Sequence, residues 1–168
     1  EPGAWATDVS ALGKTFAVTH TTPNFLLVNT RLVKPEDYPK RYTDLLDPKW
    51  KGKMNLHDPT ISGTGSVLFT MMMEKEGIGY WEKMALQDLH LIRSYSEVVR
   101  RVSVGEDYLA VLASPSFIEE SLAQGAPIKP LAMQDATFVN ATGMHLIKNS
   151  PHPNAAIVVV NFMLTKEG

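Results

Sequence analysis

The rhythm of apolar and polar positions changes several times along the chain. Over TFAVTHTTPNFLLVN, residues 15–29, β-branched and aromatic residues dominate, which predicts extended structure. Two strands are expected there, with a break at Thr21-Thr22-Pro23-Asn24, because Pro23 cannot donate to a central ladder. Residues 30–50 carry Pro35, Pro39 and Pro48 and read as loop with one helical turn over 42–46. From Lys53 onward, short apolar runs alternate with helical spacing. Strands are predicted over 53–57, 89–92, 108–113, 128–132 and 138–147. Helices are predicted over 65–75, 80–87, 96–104, 116–124 and 154–165. Gly77-Ile78-Gly79, Gly105 and Gly125 act as stops, and Pro151 and Pro153 precede the last helix. Val98, Val99 and Val102 mark the buried face of the helix over 96–104.

Strands that alternate with helices from residue 53 to residue 132 imply an α/β fold, a doubly wound and mostly parallel sheet with helices on both faces. Such sheets bind ligands at the carboxyl ends of their strands, where helices begin. The turns over 58–66, 93–96 and 113–116 fall on that edge. All three carry hydroxyls: Ser62, Thr64 and Ser66; Ser94 and Ser96; Ser114 and Ser116.

The stretch LHDPTISGTGS, residues 56–66, poses the sharpest choice. Ser62-Gly63-Thr64-Gly65-Ser66 at a strand-to-helix turn either caps the helix or caps it and also holds an anion on outward N–H groups, hydroxyls and the helix dipole. It is not a phosphate-binding loop of the lysine-containing kind, since the lysine and the longer glycine spacing are missing. Ser94-Tyr95-Ser96 and Ser114-Pro115-Ser116 repeat the choice, and for each the cap is the favoured reading. Arg93 could meet a carboxylate or phosphate, although a solvated surface position is favoured; Arg100-Arg101 reads as a solvated face. Asp135 could accept from a ligand hydroxyl or amine, or serve as a turn residue. Asp8, Asp58 and Glu97 pair with nothing in the pattern. Met71-Met72-Met73 reads as helix core.

Composition narrows the function classes. The chain has 168 residues, 44% hydrophobic and 20% charged, with a formal net charge of -2. That length suffices for one domain with a core. No basic excess points to nucleic acid, and the longest apolar runs are too short to span a bilayer. The opening EPGAW has neither the basic start nor the apolar core of a signal peptide. Cysteine is absent, which excludes disulfides, thiolate metal sites and cysteine nucleophiles. The five histidines are scattered without HExxH or i,i+4 pairing, so neither a metal nor another cofactor is expected.

Several blocks together resemble one family. NTRLVKPEDYPKRYTDLLDPKWKGKM (29–54), HDPTISGTG (57–65), VGEDYLAVLASPSFIEESLAQGAPI (104–128) and HLIKNSPHPNAAIVVVNFMLTKEG (145–168) are similar, in order, to segments of the bacterial extracellular solute-binding proteins. That family includes ferric-iron binders and organic-anion binders that serve ABC importers. The resemblance implies two α/β lobes joined by hinge strands, with ligand in the cleft. This chain would be the second lobe of such a type 2 periplasmic-binding fold. Residues 1–29 would form a hinge-strand segment, 30–140 the ligand-binding lobe, and 141–168 a return hinge strand and closing helix. The first lobe is expected to be missing, and the hinge-strand edge over 15–28 to be open to pairing with a second copy.

The resemblance also implies partners: a small anion, a membrane ABC permease, and a periplasmic or extracellular location. The iron binders of the family carry adjacent tyrosines where this chain has Ser114-Pro115-Ser116, which disfavours iron and favours an organic or phosphorylated anion. Thr22 and Asn24 would contact it from the hinge floor. Ser62, Thr64 and Ser114 would donate to it, and Asp135 would orient a polar group on it. Rival expectations are a ferric-iron carrier using other oxygen ligands and a synergistic anion, the effector domain of a transcription regulator, and an enzyme, for which no nucleophile–base pair is legible.

Overall fold

A computed structural model describes residues 16–61 and 63–165. Six strands are present among them: β1 (Phe16–Asn29), β2 (Met54–His57), β3 (His90–Ile92), β4 (Leu109–Ala113), β5 (Ile128–Leu131) and β6 (Phe138–His145). The α-helices are α1 (Thr64–Glu76), α2 (Ile78–Ala85), α3 (Tyr95–Val104), α4 (Pro115–Ala123) and α5 (Pro153–Met163). The proline-rich stretch between β1 and β2 winds into 3-10 turns at Pro35–Asp37, Tyr42–Leu46 and Pro48–Trp50. Proline suits these first-turn positions because its missing N–H would be unpaired there anyway.

The chain divides into two compact units. Residues before Pro23 and after Phe138 form one, and Pro23–Phe138 the other. In the first, β6 pairs with the early part of β1, and the Thr19 hydroxyl donates to the Thr142 carbonyl at 3.1 Å. α5 belongs to this unit and buries none of its residues; Val158 and Val159 are among its exposed apolar side chains.

In the second unit the strands run in the order β3-β2-β4-β1-β5. β2 is parallel to both β3 and β4, whereas β1 is antiparallel to both β4 and β5. β3, β2, β4 and β5 therefore point one way, and β1 is inserted between β4 and β5 in the opposite sense. The sheet is mostly parallel in direction, as the alternating pattern predicts. Its core lies on two faces, as a two-sided sheet requires, with alternate residues of β1 facing opposite ways and the alternation in β4 lost after Val111. Leu26, Val28, Met54, Leu56, Leu109 and Val111 pack with Leu68 and Met72 of α1 and Tyr80 and Met84 of α2. Leu27, Ala110 and Ala113 pack with Val98, Val99 and Val102 of α3 and Ile118 of α4.

Two expectations need correction. β1 is one continuous strand, not two, since Pro23 does not interrupt the extended backbone. It falls before Phe25, where the described pairing with β4 begins, so its missing N–H breaks no ladder there. Residues 25–29 are also not an open edge for a second copy, because β4 and β5 flank them on either side.

Candidate ligand-binding edge

β2 and β3 end in register, His57 opposite Ile92. The parallel pairing of Met54 with Leu109 carries the end of β4 to the same edge. β1 starts its β4 ladder there, with Phe25 opposite Ala113. This topology gathers the turns that lead into α1, α3 and α4, and Asn24 and Ser114 adjoin the paired residues Phe25 and Ala113. The Asp58 N–H donates to the Ile92 carbonyl at 2.8 Å and ties the first two turns together. The Asp58 carboxylate then accepts from the Thr60 hydroxyl and N–H, which hold its pKa below the usual carboxylate range.

The helix starts are not capped as predicted. The cap residue of α1 is Gly63, which has no side chain to offer. Ser94 and Ser114 occupy the cap positions of α3 and α4, yet neither side chain bonds to its helix backbone. Each hydroxyl instead meets the serine two residues on, Ser94 with Ser96 at 2.9 Å and Ser114 with Ser116 at 3.3 Å. These hydroxyls can swap partners without uncapping a helix. Ser66 is committed, donating to the Gly63 carbonyl at 2.8 Å.

Tyr95 and His57 form the centre of the edge, and neither was among the expected contacts. Their rings stack with centroids 3.9 Å apart and planes 3° from parallel. The Thr64 N–H, at the start of α1, donates to the Tyr95 hydroxyl at 3.0 Å. Gly63 admits this arrangement twice over. Its φ of 137° disfavours any L side chain, and a Cβ there would overlap the Tyr95 hydroxyl. Gly65 sits directly on β2, where a Cβ would overlap the His57 carbonyl oxygen. His57 is buried, and its Nδ1 has no hydrogen-bond partner among the described residues. Burial pushes the imidazole below its ordinary pKa; Asp58 and a hydrogen bond with the Arg93 backbone oppose the shift and are outweighed.

The six expected contacts divide. Thr64, Ser114 and Asn24 share the edge described above. Asn24 is buried, and both it and Thr22 are engaged in interactions. Thr22 belongs to the first unit. Ser62 lies outside the described residues. Asp135 stands apart. Its carboxylate accepts from the Tyr42 N–H and pairs with Lys75 Nζ at 3.4 Å. Lys75 is in the last turn of α1, about 16 Å along the helix axis from Thr64.

The opposite edge of the sheet holds a network that the sequence pattern does not reveal. Asp107 is fully buried and accepts from Arg101 Nε at 2.6 Å and Asn55 Nδ2 at 2.7 Å, and meets His90 Nδ1 at 2.6 Å. Burial pushes its carboxyl pKa up, but the hydrogen bonds from Arg101, Asn55 and His90 together hold it below the usual range. Arg101 is therefore an internal anchor and not part of a solvated face; Arg100, beside it, pairs with Glu97 and Glu106 at the surface. Among the described residues no group of three or more His, Cys, Asp or Glu could hold a metal ion. Among the described residues no helix is long and apolar enough to cross a membrane.

A mostly parallel lobe with helices on both faces and helix starts gathered on one edge has the architecture of a periplasmic-binding-protein-like, type 2 fold. The chain belongs to the bacterial extracellular solute-binding protein family, whose profile matches residues 6–168; its solved relatives include solute-binding proteins of ABC transporters. The periplasmic binding protein AfuA from Actinobacillus pleuropneumoniae, with exogenous fructose-6-phosphate bound, superposes with a TM-score of 0.74 at 23% identity, over 92% of this chain and 50% of that one. Iron-bound HitA from Pseudomonas aeruginosa gives 0.75 at 22% identity, over 92% and 52%. An uncharacterized protein of Haemophilus influenzae is 28% identical over 148 residues, 84% of this chain and 42% of its own length. The chain thus spans about half the length of the proteins it matches.

Proposed function

We propose that this chain is the second lobe of a solute-binding component of an ABC importer, and that it takes part in binding a small organic or phosphorylated anion without transforming it. The observation that carries this reading is the shared edge of three helix starts, at two of which, α3 and α4, the serine hydroxyls are not used as caps. Helix N-termini favour anions through unpaired N–H groups and the dipole, and hydroxyls free to reorient add donors. Thr64, Ser114 and Asn24 are the contacts that this geometry favours; Ser62 and Thr22 are proposed as further contacts from the sequence pattern alone. Asp135, committed to Tyr42 and Lys75, would act only by fixing the loop that carries it. The likeness to AfuA, solved with a sugar phosphate, supports the phosphorylated-anion choice.

A first lobe would close over this edge, in a periplasmic protein that delivers its ligand to a membrane permease. The uncovered apolar face of α5 is in keeping with a further packing partner. Residues 1–29 and 141–168 would then serve as the hinge segments around the lobe of 30–140. One lobe alone supplies part of the burial that a cleft ligand normally receives, so millimolar affinity is expected, about -4 kcal/mol.

Amide NMR titration of the chain with inorganic phosphate and with fructose 6-phosphate tests the reading. Saturable shifts centred on Thr64, Gly65, Ser96 and Ser116 are expected. Shifts scattered over the surface without saturation would overturn it. Saturable one-to-one binding of ferric citrate with a visible charge-transfer band would favour an iron carrier such as HitA in its place.

A further inference from the structure

The α1 start has one feature that the proposed function does not by itself require. Its first amide is not open to the edge. The Thr64 N–H already donates to the Tyr95 hydroxyl, and Gly63 leaves the room that this close seat needs. The phenol oxygen thus stands where an anion's oxygen would be expected to stand. Its own O–H has no acceptor among the described residues. Beneath the same turn, His57 Nδ1 is buried, unpartnered and aimed at Gly65; a Cβ built on Gly65 would lie 3.3 Å from it. Buried polar atoms without partners are rare in folded proteins. One here, against the first turn of α1 and stacked under Tyr95, marks a polar site whose hydrogen bonding no described residue completes.

We propose that Tyr95 is a ligand-contacting residue that carries the α1 N-terminus outward: its hydroxyl accepts from the Thr64 amide and donates to an oxyanion of the bound ligand. This rests on the anion-binding reading of the edge and names the donor that selects for it. The relay strengthens the contact, since a hydroxyl that accepts one hydrogen bond becomes a better donor in the next. The His57 ring fixes the phenol by stacking, so the donor is held in place before ligand arrives and little freedom is lost on binding. A phenol at this position favours a ligand oxygen that only accepts, as in phosphate or carboxylate.

The test compares wild type, Tyr95→Phe and Thr64→Val by amide NMR titration with inorganic phosphate, alongside thermal unfolding of each without ligand. Tyr95→Phe keeps the ring and the stack and removes only the hydroxyl. It should weaken phosphate binding by about tenfold or more, the scale of one hydrogen bond to a charged group. In wild-type protein labelled at tyrosine Cζ, the Tyr95 resonance should shift with the same dissociation constant as the Thr64 amide, while that of Tyr108 stays still. This second readout does not depend on the variant folding. Tyr95→Phe with a lower melting temperature but unchanged affinity would make Tyr95 a helix cap and overturn the inference. So would tighter binding by Tyr95→Phe, which would make the phenol a competitor. In either case weaker binding by Thr64→Val would leave the anion reading standing. No saturable phosphate binding by wild type would overturn both.

Discussion

Replacing Gly65 with alanine sets two effects of opposite sign against each other. In an unconstrained helix the change would stabilise, because glycine costs about 0.5–1 kcal/mol relative to alanine. Gly65 is in the first turn of α1 and its φ is not positive, so backbone strain does not enter. Space does. The new Cβ would overlap the His57 carbonyl oxygen and lie 3.1 Å from its carbonyl carbon. Both are backbone atoms of β2, which is buried throughout and laddered on both sides, so it cannot yield as a flexible side chain would. The start of α1 must lift instead. Forcing one extra carbon into a packed interior costs about 1–3 kcal/mol, so the balance runs from about zero to a loss of about 2.5 kcal/mol. For a chain of this size the upper end lowers the melting temperature by about 5–10 °C. Gly79→Ala supplies the control. Gly79 is in α2, has no positive φ, and its added Cβ would meet nothing within 4 Å, so it should stabilise by about 0.5–1 kcal/mol. Urea unfolding of the two variants beside wild type measures both. If Gly65→Ala stabilised as much as Gly79→Ala, the close seat of α1 on β2 would be wrong.

Three further outcomes are expected. Asp107→Ala should cost about 3–5 kcal/mol, the cost of removing one partner of a buried ion pair, measurable by urea unfolding; a loss under 1 kcal/mol would mean that the network carries no stability. Asp107 has a lowered folded pKa, so its contribution is complete above the ordinary aspartate value of about 3.9 and is lost as pH falls through the lower folded value. The stability gap between wild type and Asp107→Asn should therefore stay level from neutral pH to about pH 5 and close below about pH 4, whereas a gap that widened in acid would reverse the sign assigned here. In the two-lobed protein proposed above, Thr64→Val should weaken anion binding by about 1–3 kcal/mol, the scale of a lost buried donor, by calorimetry with the cognate ligand; unchanged affinity with an intact fold would reduce the turn to a helix start.

What the sequence pattern could show follows from the range of the forces involved. Elements set by local periodicity and stop signals were legible to within two residues at most ends; α3 runs Tyr95–Val104 against a predicted 96–104, and Gly105 adopts the left-handed conformation of a helix stop. The four parallel-directed strands were implied by alternation alone. The antiparallel insertion of β1 was not, because pairing across some eighty residues leaves no periodic trace. The site divides along the same line. Hydroxyls at helix starts can be read from neighbours in sequence, and so Thr64 and Ser114 could be named as candidates. The Tyr95 stack on His57 depends on the ladder that sets Ile92 beside His57, and no local rule predicts it. Tyr95 stands between the two serines that the pattern singles out, and the pattern assigns the ring itself no role. The two glycines held the missing signal. Glycine at a helix start is usually credited with freeing amides for a ligand. Here Gly63 makes room for a phenol and Gly65 for a strand carbonyl, so a glycine pair at such a turn can equally report that another part of the same chain comes close. Had the pair been read that way, the search would have turned to large side chains on neighbouring turns of the same edge, and Tyr95 is the one that the ladder delivers.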